Sequence, residues 1–243
     1  MAGGLTTFEV GDPRETCSVV WERLPASEKS RLKEQEVWSR TYAAADWRRF
    51  KSEPKSYRST FSVGHSGALR LSRIVDERGT GFTIHDPGMD AYCISVMERG
   101  ASRLAQPGNR SPLDTDPNLG LIFSGRASTR LVTSDRNARL QLWVPGTLLR
   151  RSLEAVLERP VGDALEFTPG IDWSRGEGAS IRRLVLHLFA ELAQPDSLLS
   201  RDVGARQFEE LLVQSLLLGL PHSHSGVLQR AARAGGSGQC TAG

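Results

Sequence analysis

Residues 138–160, ARLQLWVPGTLLRRSLEAVLERP, contain the change of pattern that divides the chain. Up to Val144, polar and apolar side chains alternate, which is typical of a β-strand. After Pro145 and Gly146 the leucines recur at helical spacing, and a helix that Thr147 can cap is expected to end before Pro160. The stretch therefore predicts a β domain that ends near residue 145 and a helical segment directly after it.

Short segments of strand character precede this change, from Tyr57 onward. Turn-forming stretches rich in Gly, Pro, Asp and Asn separate them. The eight candidate strands are residues 58–63, 68–75, 81–85, 91–97, 101–105, 119–123, 129–133 and 138–144. Because no crossover helix fits between consecutive strands, the pattern favours a small barrel or jelly roll over a parallel α/β fold.

Three helices are expected after the β domain. The second lies between the Gly176–Gly178 break and Pro195, and the third runs from Ser200 or Asp202 to about Pro221. Each has an apolar stripe that must pack on the β domain or on a second copy of the chain. The fold class is thus α+β, with four zones: an N-terminal arm with short helices, such as residues 27–39, over residues 1–56; the β domain over 57–145; the helical segment over 146–221; and a flexible tail over 222–243.

Composition and charge are those of an ordinary globular protein. The net charge is +3, but basic and acidic residues are interspersed, so no nucleic-acid recognition face is predicted. Cys17, Cys93 and Cys240 lie far apart in the sequence, which indicates reduced thiols.

The first ten residues lack a secretory signal, and the apolar run 211–220 is too short to span a bilayer. We expect a cytoplasmic protein without membrane contact.

The C-terminal part of the chain resembles a known family. Residues 207–225, QFEELLVQSLLLGLPHSHS, are similar to the last sensor helix of AraC/XylS-type bacterial transcription regulators, and residues 148–160, 167–171 and 181–200 follow in the family's order. This resemblance implies a cupin-like β-barrel or jelly roll that binds a small-molecule effector, followed by a three-helix dimerisation subdomain. It also implies a homodimer, or a heterodimer with a full-length relative.

In this family the sensor leads into a helix-turn-helix module that reads DNA. We expect the present chain to stop before that module, as a truncated regulator would. DNA would then be contacted only through a module that the chain does not contain.

Catalytic and metal sites are not predicted. Metal-dependent cupin enzymes share a His-x-His pair on a barrel strand. Here His65 and His85 stand alone in the predicted β domain, and His222 and His224 follow the third helix. A nucleophile elbow and a phosphate-binding loop are also missing from the sequence. We therefore expect no enzyme, no metal and no cofactor. A cupin-type small-molecule enzyme and a plain oligomerisation module remain as alternatives.

Aromatic residues of the predicted strands are candidates for the effector cavity. Such a side chain combines a flat apolar body with a hydrogen-bonding tip. The candidates are His85, Tyr92 and Trp143, with ordinary core or surface positions as the alternative, because alternation alone does not tell the inner face of a strand from the outer.

The third helix is the candidate dimerisation element. The apolar stripe considered for this role comprises Phe208, Leu211, Leu212, Ser215 and Leu218. Burial of the same residues against the second helix of one chain is the alternative.

Overall fold

Two antiparallel β-sheets, three α-helices of twelve residues or more and shorter helical stretches, among them residues 225–228, form the computed structural model, which describes residues 4–12, 15, 19, 22–23, 45–49, 57–84, 90–106, 111–162, 164–228 and 230. The strands are β1 (Thr6–Val10), β2 (Ala45–Arg49), β3 (Ser59–Ser66), β4 (Leu69–Asp76), β5 (Thr80–Ile84), β6 (Ala91–Arg99), β7 (Ser102–Ala105), β8 (Leu113–Thr115), β9 (Leu119–Ser124), β10 (Thr129–Thr133), β11 (Asn137–Pro145) and β12 (Gly170–Asp172). The helices are α1 (Gly146–Leu157), α2 (Gly176–Leu192) and α3 (Asp202–Gly219), with a 3-10 helix at Leu198–Ser200 before α3.

The larger sheet has the order β1-β3-β4-β11-β6-β9-β12, and the smaller has the order β2-β5-β10-β7-β8. All eight predicted strands are present, and all pairings between strands are antiparallel. The predicted jelly roll is confirmed as two facing sheets and not as a closed barrel. The three predicted helices are also confirmed, although Pro145 and not Thr147 occupies the N-cap of α1.

Residues 1–56 contribute strands and not only an arm with short helices. Strand β1 pairs with β3 at the edge of the larger sheet, and β2 pairs with β5 at the edge of the smaller one. Phe8 and Val10 are buried, and the Phe8 ring stacks on Phe61 with 5.8 Å between the ring centroids. These cross-strand contacts outweigh the helical tendency of the surrounding sequence. The predicted helix at residues 27–39 lies outside the described residues.

Strand β11 is buried on both faces. Leu140, Leu142 and Val144 pack into the large core that the helices share with the larger sheet. Residues of the opposite parity, among them Trp143, face the smaller sheet. The helical segment also supplies β12 to the larger sheet, and Leu228 of the expected tail is buried in the same core. Helices and sheet therefore form one packed unit.

The helices all cover the outer face of the larger sheet. Leu149 and Leu153 of α1, Val185 and Leu188 of α2 and Leu212 of α3 are fully buried there. No helix within the described ranges is both long enough and apolar enough to cross a membrane.

Strand β12 is held against β9 by a close approach at Gly120. Gly120 pairs with Ile171, and the ring of the buried Trp173 lies over its Cα atom. A Cβ atom at Gly120 would come within 1.7 Å of Trp173 Nε1. Trp173 can therefore pack over β9 in this position only because residue 120 is a glycine.

We predict that Gly120→Ala lowers the free energy of unfolding by about 1–3 kcal/mol, because the added methyl group displaces Trp173 from a packed core. Urea denaturation measures the change. Gly162→Ala is the matched control, since a Cβ atom there would meet nothing within 4 Å. Equal stability of the two variants would contradict the packing described for Trp173.

Candidate functional site

The inner face of the larger sheet carries a column of polar side chains on β4, β11 and β6. The strand registers place them in four cross-strand rows: Asp76 with Asn137, then Arg139 between Ile74 and Met97, then Gln141 between Ser72 and Ser95, then Trp143 between Arg70 and Cys93. Nearly all of these side chains are buried within the chain. A polar column in a sandwich interior is unusual, because burial of polar groups costs free energy unless they are hydrogen-bonded.

Arg139 is the largest fully buried side chain of the described residues, with no solvent exposure. Its Nη1 donates to Asp76 Oδ2 at 2.6 Å and also to Asn137 Oδ1. The hydroxyl of Ser59 donates to the other oxygen of Asp76 at 2.5 Å. The carboxylate of Asp76 is thereby fixed from two sides, and it supplies the counter-charge that a buried guanidinium requires.

Other donor atoms of the same column have no partner. Nε and Nη2 of Arg139 and Nε2 of Gln141 are buried without a hydrogen bond to any described residue. Each such donor costs roughly 1–3 kcal/mol when it is removed from water and left unpaired. Hydroxyl groups of the smaller sheet, in contrast, bond to one another, as Thr80 does to Thr133 at 3.1 Å. Buried nitrogen atoms without a partner also occur outside this column, at Trp173 and Arg182, but on the inner face three such donors lie on two neighbouring residues of β11, where a guest with acceptor atoms would satisfy them.

One end of the sandwich is closed by turns that bond to each other. The Gly79 N–H donates to Asp135 Oδ1 at 2.6 Å, the Arg136 N–H donates to the Glu77 carbonyl at 3.1 Å, and the Ser134 N–H donates to the Ala101 carbonyl at 2.9 Å. The Asp76 row lies at this closed end, and the Trp143 row lies farthest from it. A guest that entered from the opposite end would pass Trp143 and Gln141 before it reached Arg139.

Of the predicted cavity residues, Trp143 lies in the space between the sheets. Its ring meets Phe123 edge to face, with 5.8 Å between the ring centroids. Cys93 lies beside it in the same row, and burial raises the pKa of this thiol well above its usual range, although the nearby Arg139 lowers it somewhat. The inner row of Trp143 is therefore apolar except for the indole and the neighbouring Arg70.

Tyr92 lies on the opposite face of the same sheet, next to Val144 in register. Its hydroxyl donates to the carbonyl of Leu165, and its ring meets Phe167 with 5.4 Å between the centroids. Burial raises the pKa of the Tyr92 hydroxyl. The structure does not bring Tyr92 and Trp143 together, because their positions have opposite parity in the sheet. His85 lies outside the described residues.

Sequence reasoning missed Arg139, Gln141 and Asp76. The signal for the first two was present, because each stands as a polar residue between the apolar residues of β11. Asp76 carried no such signal, since it ends β4 just before a polar turn. Only the pairing of β4 with β11 places its carboxylate beside the guanidinium.

Phe167 connects Tyr92 to the end of the helical segment. Its ring also meets His222, with 5.4 Å between the centroids, and the two residues form an isolated antiparallel bridge. His222 Nδ1 accepts from the His224 N–H at 3.1 Å, so Nε2 carries the proton that is donated to the Leu217 carbonyl at 2.8 Å. Burial lowers the pKa of His222. Both ring nitrogens are thus engaged in fixing the chain after α3.

The candidate dimerisation stripe of α3 is divided by the structure. Phe208 and Leu212 are buried in the core of their own chain. Leu211 is 49% exposed and Leu218 is 68% exposed. Ser215 is half-buried, and its hydroxyl donates to the Leu211 carbonyl one turn earlier at 2.7 Å. Only these last three residues are accessible to a second copy of the chain.

Comparison with known proteins agrees with this architecture. The AraC-binding-like domain family matches residues 35–218. The crystal structure of the AraC-like transcriptional activator CuxR is similar with a TM-score of 0.55 and 16% identity, over 97% of this chain and 81% of that chain. This likeness concerns the fold alone.

Two further solved structures match smaller parts of the chain. KdgF from Halomonas sp. has a TM-score of 0.31 and 14% identity, over 41% of this chain and 86% of that chain. A cupin superfamily protein from Desulfitobacterium hafniense has a TM-score of 0.30 and 12% identity, over 40% and 84%. No curated protein matches the sequence significantly.

We predict that Asp76→Asn lowers the free energy of unfolding by about 3–5 kcal/mol, because it leaves the charge of Arg139 buried without a counter-charge. Denaturation by urea at neutral pH gives the value. Asp114→Asn serves as the control, since it breaks the exposed ion pair with Arg103, whose atoms lie 2.5 Å apart. Solvent screens that pair, so little change is expected there. A mild effect of Asp76→Asn would show that the interior is hydrated around Arg139.

Proposed function

Because the chain belongs to the AraC-binding-like domain family, we propose that it senses a small-molecule effector on behalf of a transcription regulator. The effector binds between the two sheets, along the column from Trp143 to Arg139. The observation that carries this proposal is the set of buried donor atoms on Arg139 and Gln141 that have no partner in the described part of the chain. A bound guest would satisfy them.

Strand β11 gives the effector a direct connection to the helices. Its inward residues Arg139 and Gln141 alternate with Leu140 and Leu142, which lie under the helices. The strand ends at Pro145, and α1 begins at the next residue. A shift of β11 by a bound guest is therefore passed to α1 without an intervening loop.

The start of α1 is also tied to the neighbouring strand β6. The Gly146 N–H donates to the Asp90 carbonyl at 2.8 Å, and the Asp90 carboxylate accepts from Arg150 of α1 at 3.2 Å and from Arg126 at 2.7 Å. A displacement of β6 or β11 by the guest consequently changes the position of α1.

A second connection runs through the ring contacts on the outer face. Tyr92 of β6 touches Phe167, and Phe167 touches His222 after the end of α3. We propose that the effector shifts the populations of two packings of the helices through these contacts, since a ligand favours the state that it binds more tightly. Tyr92 thus acts as a coupling residue in this scheme and not as a ligand contact.

Under the same proposal, the protein is a binding module and not an enzyme. Among the described residues, no three His, Cys, Asp or Glu side chains are grouped so as to hold a metal ion. The Cys93 thiol is held in its protonated form by burial, which makes it a poor nucleophile. Stoichiometric iron, zinc or manganese in the purified protein would instead favour a cupin-type enzyme.

The accessible strip of α3, defined as Leu211, Ser215 and Leu218, is the proposed dimer contact. The three residues are spaced by four and three positions and so lie on one side of the helix. A second copy of the chain, or the sensor of a full-length relative, would bury the two leucines against its own strip, as in an isologous interface. DNA would be contacted in the cytoplasm by a helix-turn-helix module outside this domain.

We predict that a thermal-shift screen of small organic acids, amides and alcohols identifies compounds that raise the melting temperature in a saturable manner. Trp143→Phe should weaken the binding of such a compound, since Trp143 lies on the path to Arg139. Tyr92→Phe removes a hydroxyl from the outer face and should leave the affinity unchanged. The reverse pattern would place the effector on the helix side and overturn the proposed site. An absence of binding compounds would favour a plain oligomerisation module.

We also predict that the double variant Leu211→Glu, Leu218→Glu is a folded monomer under conditions in which the wild-type chain is a dimer. Both side chains are exposed, so the added charges repel a second copy without disturbing the core. Sedimentation velocity gives the mass, and circular dichroism the fold. Leu198→Glu is the control, since Leu198 is 65% exposed but lies outside α3. An unchanged mass of the double variant would exclude this strip as the interface.

A further inference from the structure

We infer that the effector carries a carboxylate group, which binds in a bidentate manner to the Nε–Nη2 edge of Arg139. This inference rests on the proposed effector-binding function and names the chemical class of the ligand. It starts from the difference in hydrogen bonding between the three nitrogen atoms of the guanidinium. Nη1 is occupied by Asp76 and Asn137, whereas Nε and Nη2 have no partner among the described residues.

Nε–H and Nη2–H lie side by side on one edge of the planar guanidinium and point in nearly the same direction. A carboxylate presents two acceptor oxygens in one plane at the spacing of these two donors. Gln141 adds Nε2 as a third donor, two residues further along β11 on the same face. The atoms left without a partner are therefore all donors, which selects a guest rich in acceptors.

The side chains beside Gln141 are small. In its row the residues on either side are Ser72 and Ser95. The rows before and after are bounded by Ile74, Met97 and Cys93, which are apolar or weakly polar, and by the buried Arg70 at the end nearer Trp143. The surroundings thus suit a ligand with an apolar body whose acidic end reaches Arg139.

Charge balance favours a carboxylate over a phosphate ester. Asp76 already pairs with Nη1 of the guanidinium, so a monocarboxylate adds one negative charge to this buried pair, whereas a dianion would add two. A primary amide is also disfavoured, because its NH₂ group would face the N–H groups of Arg139. The site therefore distinguishes an acid from its own amide, although the two have nearly the same shape.

The test uses the full chain and pairs of probes. Benzoate, phenylacetate and octanoate are titrated against benzamide, phenylacetamide and octanamide, with phenyl phosphate as a further arm. Calorimetry gives the affinity, and the ¹⁵N–¹H signal of the Arg139 Nε–H group reports on the site itself. We expect at least one acid to move this signal in a saturable way, while its amide at the same concentration leaves it in place.

Two variants separate the contact from general stability. Arg139→Lys keeps a positive charge beside Asp76 but lacks the Nε–Nη2 edge, so acid affinity should fall by roughly tenfold to a hundredfold. Arg130→Lys, on an exposed side chain of β10, is the matched control and should bind as the wild type does. Gln141→Leu removes a buried amide nitrogen that has no partner in the described ranges. It should melt no lower than the wild type and still bind the acid several-fold more weakly.

The possible outcomes separate this inference from the proposed function. Saturable binding of amides that is sensitive to Trp143→Phe, with no binding of acids, overturns the carboxylate and leaves the effector site standing. Tighter binding of phenyl phosphate than of benzoate also overturns the carboxylate. Failure of both acids and amides to bind overturns the inference together with the proposed function. Equal acid affinity in wild type, Arg139→Lys and Gln141→Leu excludes the contact with β11.

Discussion

The burial of β11 on both faces is the constraint on which the rest of the structure depends. On one face, Leu140, Leu142 and Val144 join the core under the helices. On the other face, Arg139 and Gln141 enter the space between the sheets, where Arg139 requires Asp76 as its counter-charge. A slip of one residue in the register of β11 would place the guanidinium under the helices and the leucines in the polar column. Register, ion pair and helix packing therefore depend on one another.

The polar column is costly for a domain of this size. An apolar pair of similar volume in place of a buried ion pair often leaves stability unchanged or raises it. Donors without partners add to the cost. Such a loss of stability is expected at functional sites, where a ligand supplies the hydrogen bonds that the buried polar groups of the free protein lack. Strand β11, which bears this cost, leads directly into α1, so the proposed site and the helices are joined by a continuous stretch of backbone.

Much of the fold could be predicted from the sequence, because alternation and turn residues mark β3 to β7 and β9 to β11, and helical spacing marks α1 to α3. The short strands β1, β2, β8 and β12 were missed, since each is specified by its partner strand more than by its own residues. The site could be predicted only in part. Trp143 was correctly placed on a strand, but the inner face is decided by which side the helices cover. Tyr92 pairs with Val144, the neighbour of Trp143 in β11, and successive residues of a strand point to opposite faces. Tyr92 therefore lies on the face that the helices cover. Likewise, Leu211 and Leu212 are adjacent in α3, and only the packing against the sheet shows which one is buried.

Hydrogen–deuterium exchange of the chain with and without a saturating effector tests the central claim most directly, namely that a guest between the sheets acts on the helices through β11. The account predicts added protection in residues 137–157, which include β11 and α1, together with a change at residues 165–168 and 222–228 around Phe167 and His222. Protection confined to the outer surface of the helices, with β11 unchanged, would contradict it.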